Sequence, residues 1–231
     1  MSVILTIDAS SSLCSVALNI NGELVWNTEE QPRRHAQRLL PMIDDILVDS
    51  GVSRSQLDGL AFGRGPGSFT GIRIAVSVAQ GLALGLDLPV CGVSSLEAVA
   101  LAVASNDETA SKVLAIMDAH MGEVFWGQFD VVDGMTQASG AEQVGSPEVC
   151  LAEIDTFKGG LAGDGLNLSA FESLSSEYAN IQPEARIMAA LADREWNNGN
   201  FGSPDNQLPV YLRNSVAWKK LDEQPSLLKR K

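Results

Sequence analysis

The chain holds few of the residues on which metal and nucleophilic chemistry is built. Its 231 residues include two histidines, His35 and His120, and three cysteines, Cys14, Cys91 and Cys150. No second histidine lies within ligand spacing of either one, which argues against a zinc or iron site, and no serine or cysteine pairs with them in a recognisable triad. The cysteines form no C-x-x-C pair, and an odd, scattered set suits buried thiols in a reducing compartment. Basic residues are scarce too: 16 Lys and Arg face 29 Asp and Glu, a net charge of −13. Such a surface repels polyanions and argues against autonomous nucleic-acid binding. No stretch approaches the ~20 apolar residues of a membrane span. The N-terminus lacks a basic n-region, and Asp8 interrupts its short apolar run, so no signal peptide is read there. These absences predict a cytoplasmic protein without membrane contact.

What is present is ordinary globular material, 45% hydrophobic and 19% charged, ample for a core. The length suits one large domain or two lobes of roughly 100 residues each. Charge is unevenly spread. From Arg213 to Lys231 six basic residues face two acidic ones, a local +4 that leaves −17 on the rest. That tail reads as a solvated segment, or as a contact for an acidic partner or RNA.

A β-rich run at Val3–Thr6 leads into Ile7-Asp8-Ala9-Ser10-Ser11-Ser12. A second strand is expected at Cys14–Ile20, an Asn21-Gly22 hairpin turn, and a third strand from Glu23. Helix signals run from His35 to Ser50 and stop at Gly51. A strand at Gly59–Phe62 enters the glycine-rich stretch Gly63–Gly71, and a long helix follows over 72–86. A strand at Leu88–Cys91 and a helix opened by Ser94 and Ser95 close a first lobe, residues 1–107. Residues 108–231 form the expected second lobe with the basic tail. There a β-run again closes on Asp-Ala (Asp118-Ala119), and a strand again leads to an x-Gly turn, which resembles a duplicated unit.

Two stretches are candidate phosphate sites. Gly65, Gly67, Ser68 and Thr70 lie in a loop whose backbone can approach a ligand closely, with Thr70 expected as the N-cap of the next helix. The Gly-Lys-Ser/Thr ending of a Walker A loop is absent. The same glycines equally suit a tight turn packing a helix on a sheet. Asp8, Ser10 and Ser11, at the end of the first strand, could orient a metal-bound water and reach a phosphate. They equally suit a turn in which the hydroxyls bond the local backbone.

Two helices are apolar over wide arcs. In the first these residues are Leu39, Leu40, Met42, Ile43, Ile46 and Leu47. In the second, Ile72, Ala75, Ala79, Leu82, Ala83 and Leu86 share one face, and Ile74 and Val78 lie nearly opposite. A helix apolar almost all round is buried on two sides. We therefore expect Leu39, Met42, Ile43 and Ile46 with Ile72, Ala75, Ala79 and Leu82 to form a partner interface, the alanines at i, i+4 and i+8 permitting close helix approach. The alternative is that both helices fill only the chain's own core.

Taken together, Ile4–Ala17, His35–Ile43, Gly63–Ile74, Asp118–Phe125 and Tyr211-Leu212-Arg213 resemble the TsaB (YeaZ) family of the actin/sugar-kinase/Hsp70 ATPase superfamily. The run Gly-Pro-Gly-Ser-Phe-Thr-Gly-Ile-Arg at 65–73 is its most specific part. The resemblance implies a two-lobed α/β fold of the actin-like, ribonuclease H-like type, each lobe a mixed sheet with packed helices. It also implies a role in forming N6-threonylcarbamoyladenosine at position 37 of tRNAs reading codons that begin with adenine. In that setting a related protein, TsaD, performs the transfer, with the ATPase TsaE as a further partner. The chain on its own would form a homodimer, and tRNA would be met only through the complex. The catalytic relative holds a metal through two histidines, and matching by Leu88-Pro89-Val90 puts Ser95 and Val99 in their places. No metal, no catalytic residue and no required cofactor are expected; ATP or ADP has possible places in the interlobe cleft or at the partner interface. The alternatives are a phosphohydrolase or kinase-like enzyme acting through Asp8 and the Gly65–Thr70 loop, or a metalloprotease. His120 stands where the family's Asp-Ala-Arg run carries arginine.

Overall fold

The computed structural model describes residues 2–30 and 33–213, so the expected basic tail lies outside the described residues except for Arg213. β1 (Val3–Asp8), β2 (Leu13–Ile20) and β3 (Glu23–Glu30) form an antiparallel meander. Its second turn places Asn21 at φ 55° and Gly22 at φ 98°, the left-handed pair that Asn-Gly adopts with least strain. After α1 (His35–Asp49) comes β4 (Gly59–Gly65), parallel to β1. α2 (Phe69–Leu86) then returns the chain to β5 (Val90–Ser94), parallel to β4. The sheet order is β3-β2-β1-β4-β5.

α3 (Ser95–Ala104) carries the chain to a second sheet. β6 (Lys112–His120), β7 (Glu123–Val132) and β8 (Met135–Ala138) form another antiparallel meander, and β9 (Gln143–Gly145) adds to β7. α4 (Pro147–Ile154) and β10 (Gly160–Ala162) follow, β10 lying parallel to β6. The order β8-β7-β6-β10 repeats β3-β2-β1-β4. Asp8-Ala9 and Asp118-Ala119 thus stand at the end of equivalent strands, and the duplication hinted at by a short sequence match is one of topology.

The first sheet is covered on both faces, which is why β1 is apolar at successive positions, with Thr6 and Asp8 the exceptions. Leu5 and Ile7 face α1 and α2, among Leu39, Ile43, Ile72 and Val76. Ile4, on the opposite face, packs with Met188 and Leu191 of α5 (Ala185–Asn197). α5 therefore packs on the first sheet, a placement that the sequence leaves open. Its first N–H, that of Ala185, donates to Ser15 Oγ at 2.9 Å.

The residues expected at a partner interface fill this core. Leu39, Met42, Ile43, Ile46, Ile72, Ala75 and Ala79 are each at most 3% exposed; Leu82 alone of that set is half-buried. The alanine stripe faces inward and seats α2 closely on β4. Outward point Arg73, Ser77, Gly81, Leu84 and Gly85. α2 is 18 residues long with a mean hydropathy of 1.5, enough by length and composition for a membrane span. Its inner stripe is instead part of the first-lobe core. β4 and α2 also begin or end elsewhere than expected. β4 continues to Gly65, and α2 opens at Phe69 with Ser68 as N-cap, its Oγ accepting from Gly71 N at 3.3 Å. Thr70, read as the cap, is an exposed first-turn residue.

Candidate interlobe cleft and docking face

A cleft of about 680 Å³ opens where the ends of β1 and β6 face each other. Of the residues read from the sequence, Ser10, Ser11, Gly67, Ser68 and Thr70 line it, and Asp118 and His120 stand opposite. Asp8 and Gly65 are not among its lining residues.

Asp8 is fully buried beneath the β1–β2 turn. Its Oδ1 accepts from Ser10 N at 3.2 Å and its Oδ2 from Ser10 Oγ at 3.1 Å. Ser95 Oγ in turn donates to Ser10 Oγ at 3.0 Å. Burial pushes the carboxyl up to about 7 against the opposing pull of the Ser10 hydrogen bonds, with a smaller push from the Glu184 charge. Gly63 closes the site from below, since a Cβ there would lie 1.9 Å from Asp8 Oδ1. Of the two readings of Asp8, its burial and its bonds to Ser10 are those of a group that holds the turn.

The hydroxyls of the turn are also engaged. Ser11 Oγ accepts from Leu13 N at 3.2 Å, and Ser12 Oγ donates to Gln182 Oε1 at 2.9 Å. The glycine loop, whose Gly65–Pro66 peptide is cis, lies directly on this turn. Cβ atoms at Gly67 and Gly71 would fall 2.3 Å from Ser10 O and 1.8 Å from Ala9 O. These glycines serve the close approach of two backbone segments of the chain itself.

Across the cleft, His120 sits at φ 59° with Met121 at 58° and Gly122 at 81°. Its Nδ1 lies 3.2 Å from Asp118 Oδ2. Asp164 Oδ1 accepts from Asp118 N at 3.1 Å, and burial raises the Asp164 carboxyl. His35 is buried with Nε2 3.2 Å from Leu13 O and ties α1 to β2. Ser95 and Val99 are both fully buried, Val99 within the second lobe's core.

Sequence reading missed the strap that follows α5. Gly202 bridges Val90 at the free edge of β5, and Gln80 Nε2 donates to Pro204 O and Gln207 O at 3.0 and 2.9 Å. Val210 N donates to Arg64 O at 2.9 Å, and Tyr211 OH accepts from Arg73 Nε at 2.9 Å. Arg213 then reaches the second lobe, donating to Ala119 O at 3.2 Å and pairing with Glu123. The only sequence signal was the Tyr-Leu-Arg run itself.

The chain as a whole is similar to known proteins. A protein of Escherichia coli strain K12, "tRNA threonylcarbamoyladenosine biosynthesis protein TsaB", is 40% identical over 226 residues, covering 94% of this chain and 97% of the relative. The Haemophilus influenzae protein of the same name is 41% identical over 229 residues, covering 94% and 96%. This chain belongs to the TsaB family. A family model described as "TsaD: tRNA N6-adenosine threonylcarbamoyltransferase" also matches residues 27–181. Among solved structures, YeaZ from Pseudomonas aeruginosa superposes with a TM-score of 0.83 at 39% identity, covering 92% of this chain and all of that one. A second, described as an uncharacterised protein with similarity to peptidase YeaZ, gives 0.84 at 40% with the same coverage. The two-sheet α/β fold expected from the resemblance is therefore the fold of this TsaB-family chain.

Proposed function

We propose that the chain serves formation of N6-threonylcarbamoyladenosine in tRNA as a non-catalytic subunit, docking a TsaD-type paralogue through the outward faces of α1 and α2. Family membership supports the pathway. The sealed Asp8 and the serine and valine at 95 and 99 support chemistry supplied by the partner. The observation that carries the docking reading is the outward stripe Ser77, Gly81, Gly85 on α2.

Each glycine in a helix interior costs about 0.5–1 kcal/mol relative to alanine. Nothing lies within 4 Å of a Cβ built on Gly81 or Gly85, so the chain's own packing gives no reason for them. A partner helix crossing at close range does, and Leu84, 65% exposed, flanks the stripe. The small-residue spacing read at Ala75, Ala79 and Ala83 recurs on the opposite face. Ala36 and Leu40 extend the surface along α1. The same surface serves a homodimer when the paralogue is absent; a TsaE-type ATPase joins the complex, and tRNA is met through it. A required nucleotide is not part of this reading.

Mixing with the TsaD-type protein gives a heterodimer in sedimentation analysis, and Ser77→Arg or Gly81→Arg abolishes it while the circular dichroism spectrum is kept. Normal association of both variants would remove this face from the proposal. Depletion of the protein followed by mass analysis of tRNA nucleosides tests the pathway itself: unchanged threonylcarbamoyladenosine refutes it.

A further inference from the structure

Most described cations of this acidic chain are neutralised. Arg38, Arg54, Arg64, Lys112, Arg194 and Arg213 each pair with a carboxylate. Among the described residues, no carboxylate lies within ion-pair distance of Arg33, Arg34 or Arg73. Arg33 lines the interlobe cleft, and Arg73 lines an adjoining groove of about 410 Å³. Cleft and groove share Ala36, Thr70 and Ile74, so the two arginines flank one rim, which adjoins the proposed docking face at Ala36 and Ser77. Arg34, exposed, is the N-cap residue of α1, and its side chain makes no capping bond. Neither α1 nor α2 has an acidic residue in its first turn to offset this charge.

The rim also displays aromatic surface. The Arg73 guanidinium lies 3.6 Å over the Phe69 ring, and the Phe69 and Tyr211 centroids are 5.6 Å apart. Phe69 and Tyr211 remain 49% and 43% exposed. The cation–π contact and the hydrogen bond to Tyr211 orient the guanidinium without cancelling its charge.

We propose that this rim holds an unpaired stretch of RNA, with phosphates on Arg33 and Arg34 and a base against the Phe69–Arg73–Tyr211 plate. The inference rests on the proposed role in tRNA modification and adds the surface of this chain that meets the RNA. Exposed aromatic faces beside free arginines suit splayed nucleotides, whose bases stack and whose backbone is anionic. An acidic protein segment would use the cations and leave the rings idle. The net charge of −13 keeps the contact weak for the chain alone, so the assembled heterodimer is where it counts.

The test measures the affinity of the heterodimer with the TsaD-type protein for unmodified tRNA between 50 and 200 mM salt. Arg33→Ala/Arg34→Ala weakens binding and lowers the slope of log affinity against log salt by roughly 1.4–1.8, about 0.7–0.9 for each phosphate that an arginine no longer neutralises. Phe69→Ala weakens binding about 10-fold at every salt concentration and leaves the slope unchanged. Phe69→Leu, which keeps apolar bulk at the start of α2, guards against a folding artefact and shows the same loss. Unchanged tRNA affinity in an intact heterodimer overturns the inference while the pathway reading stands on the nucleoside analysis. Loss of the heterodimer, with tRNA affinity per assembled complex intact, assigns the rim to the protein partner and overturns it equally.

Discussion

Gly63 lies directly under Asp8, and a single methyl group there would come within 1.9 Å of Oδ1. The carboxylate cannot retreat, because Ser10 holds both of its oxygens and the site is sealed. Gly63→Ala therefore costs about 1–3 kcal/mol of unfolding free energy, the range for overpacking, read from urea denaturation. Combined with Asp8→Ala the cost is smaller than the sum of the single changes, because the clash and the carboxylate disappear together. Additive effects would show that Gly63 and Asp8 do not constrain each other.

The burial of Asp8 also sets a pH dependence. Its carboxyl titrates near 3.8 in the unfolded chain and is pushed up to about 7 in the fold. Between those values the folded state holds the proton more tightly. Stability from this group is fully present below about pH 4, is lost as pH rises to about 7, and is constant above. A shift of this size corresponds to a few kcal/mol, at about 1.4 kcal/mol per pH unit. Asp8→Asn retains an acceptor for Ser10 and removes the titration. Its melting temperature should exceed that of the parent at pH 8, and the gap should close towards pH 5. Parallel profiles for the two proteins would place the titration elsewhere.

The strands, the helices and the duplicated hairpin were legible because alternation, Asn-Gly and glycine stops are local signals. The direction of the α2 faces was not. Ala75, Ala79 and Ala83 on one side and Ser77, Gly81 and Gly85 on the other have the same spacing, and periodicity cannot say which side meets the sheet. The cleft was half legible. Ser10, Ser11, Gly67, Ser68 and Thr70 do share it, but the depth of Asp8 depends on Gly63 and Ser95, which come from two other segments. The strap was hidden because most of its bonds use backbone groups and Gln80, with no repeating pattern to announce them.

Gly81 and Gly85 of α2 separate folding from association. Gly81→Ala and Gly85→Ala meet nothing within 4 Å and should each stabilise the monomer by about 0.5–1 kcal/mol. For a chain of this size that raises the melting temperature by roughly 2–4 °C per kcal/mol. The same methyl groups hold off a closely packed helix, so the double variant should melt higher and bind the TsaD-type partner more weakly. A more stable protein with unchanged partner affinity would show that the stripe faces solvent in the complex too.

Two ion pairs should respond very differently to loss of their arginine. Arg54 meets Asp44 with both side chains more than half exposed, and such pairs contribute about 0–1 kcal/mol. Arg194 on α5 instead joins three elements. It donates to Glu97 Oε1 of α3 at 2.9 Å and to Thr136 O of β8 at 2.7 Å, and pairs with Glu195. Glu97 is largely shielded, and removing the guanidinium leaves that carboxylate and the carbonyl without this donor. Arg194→Ala should cost about 1–3 kcal/mol in urea denaturation, and hydrogen exchange should quicken at the contact of α5 with β8. Arg54→Ala should stay within about 1 kcal/mol of the parent. Equal costs would mean that the bridge between the lobes is carried by the strap and the apolar contacts alone.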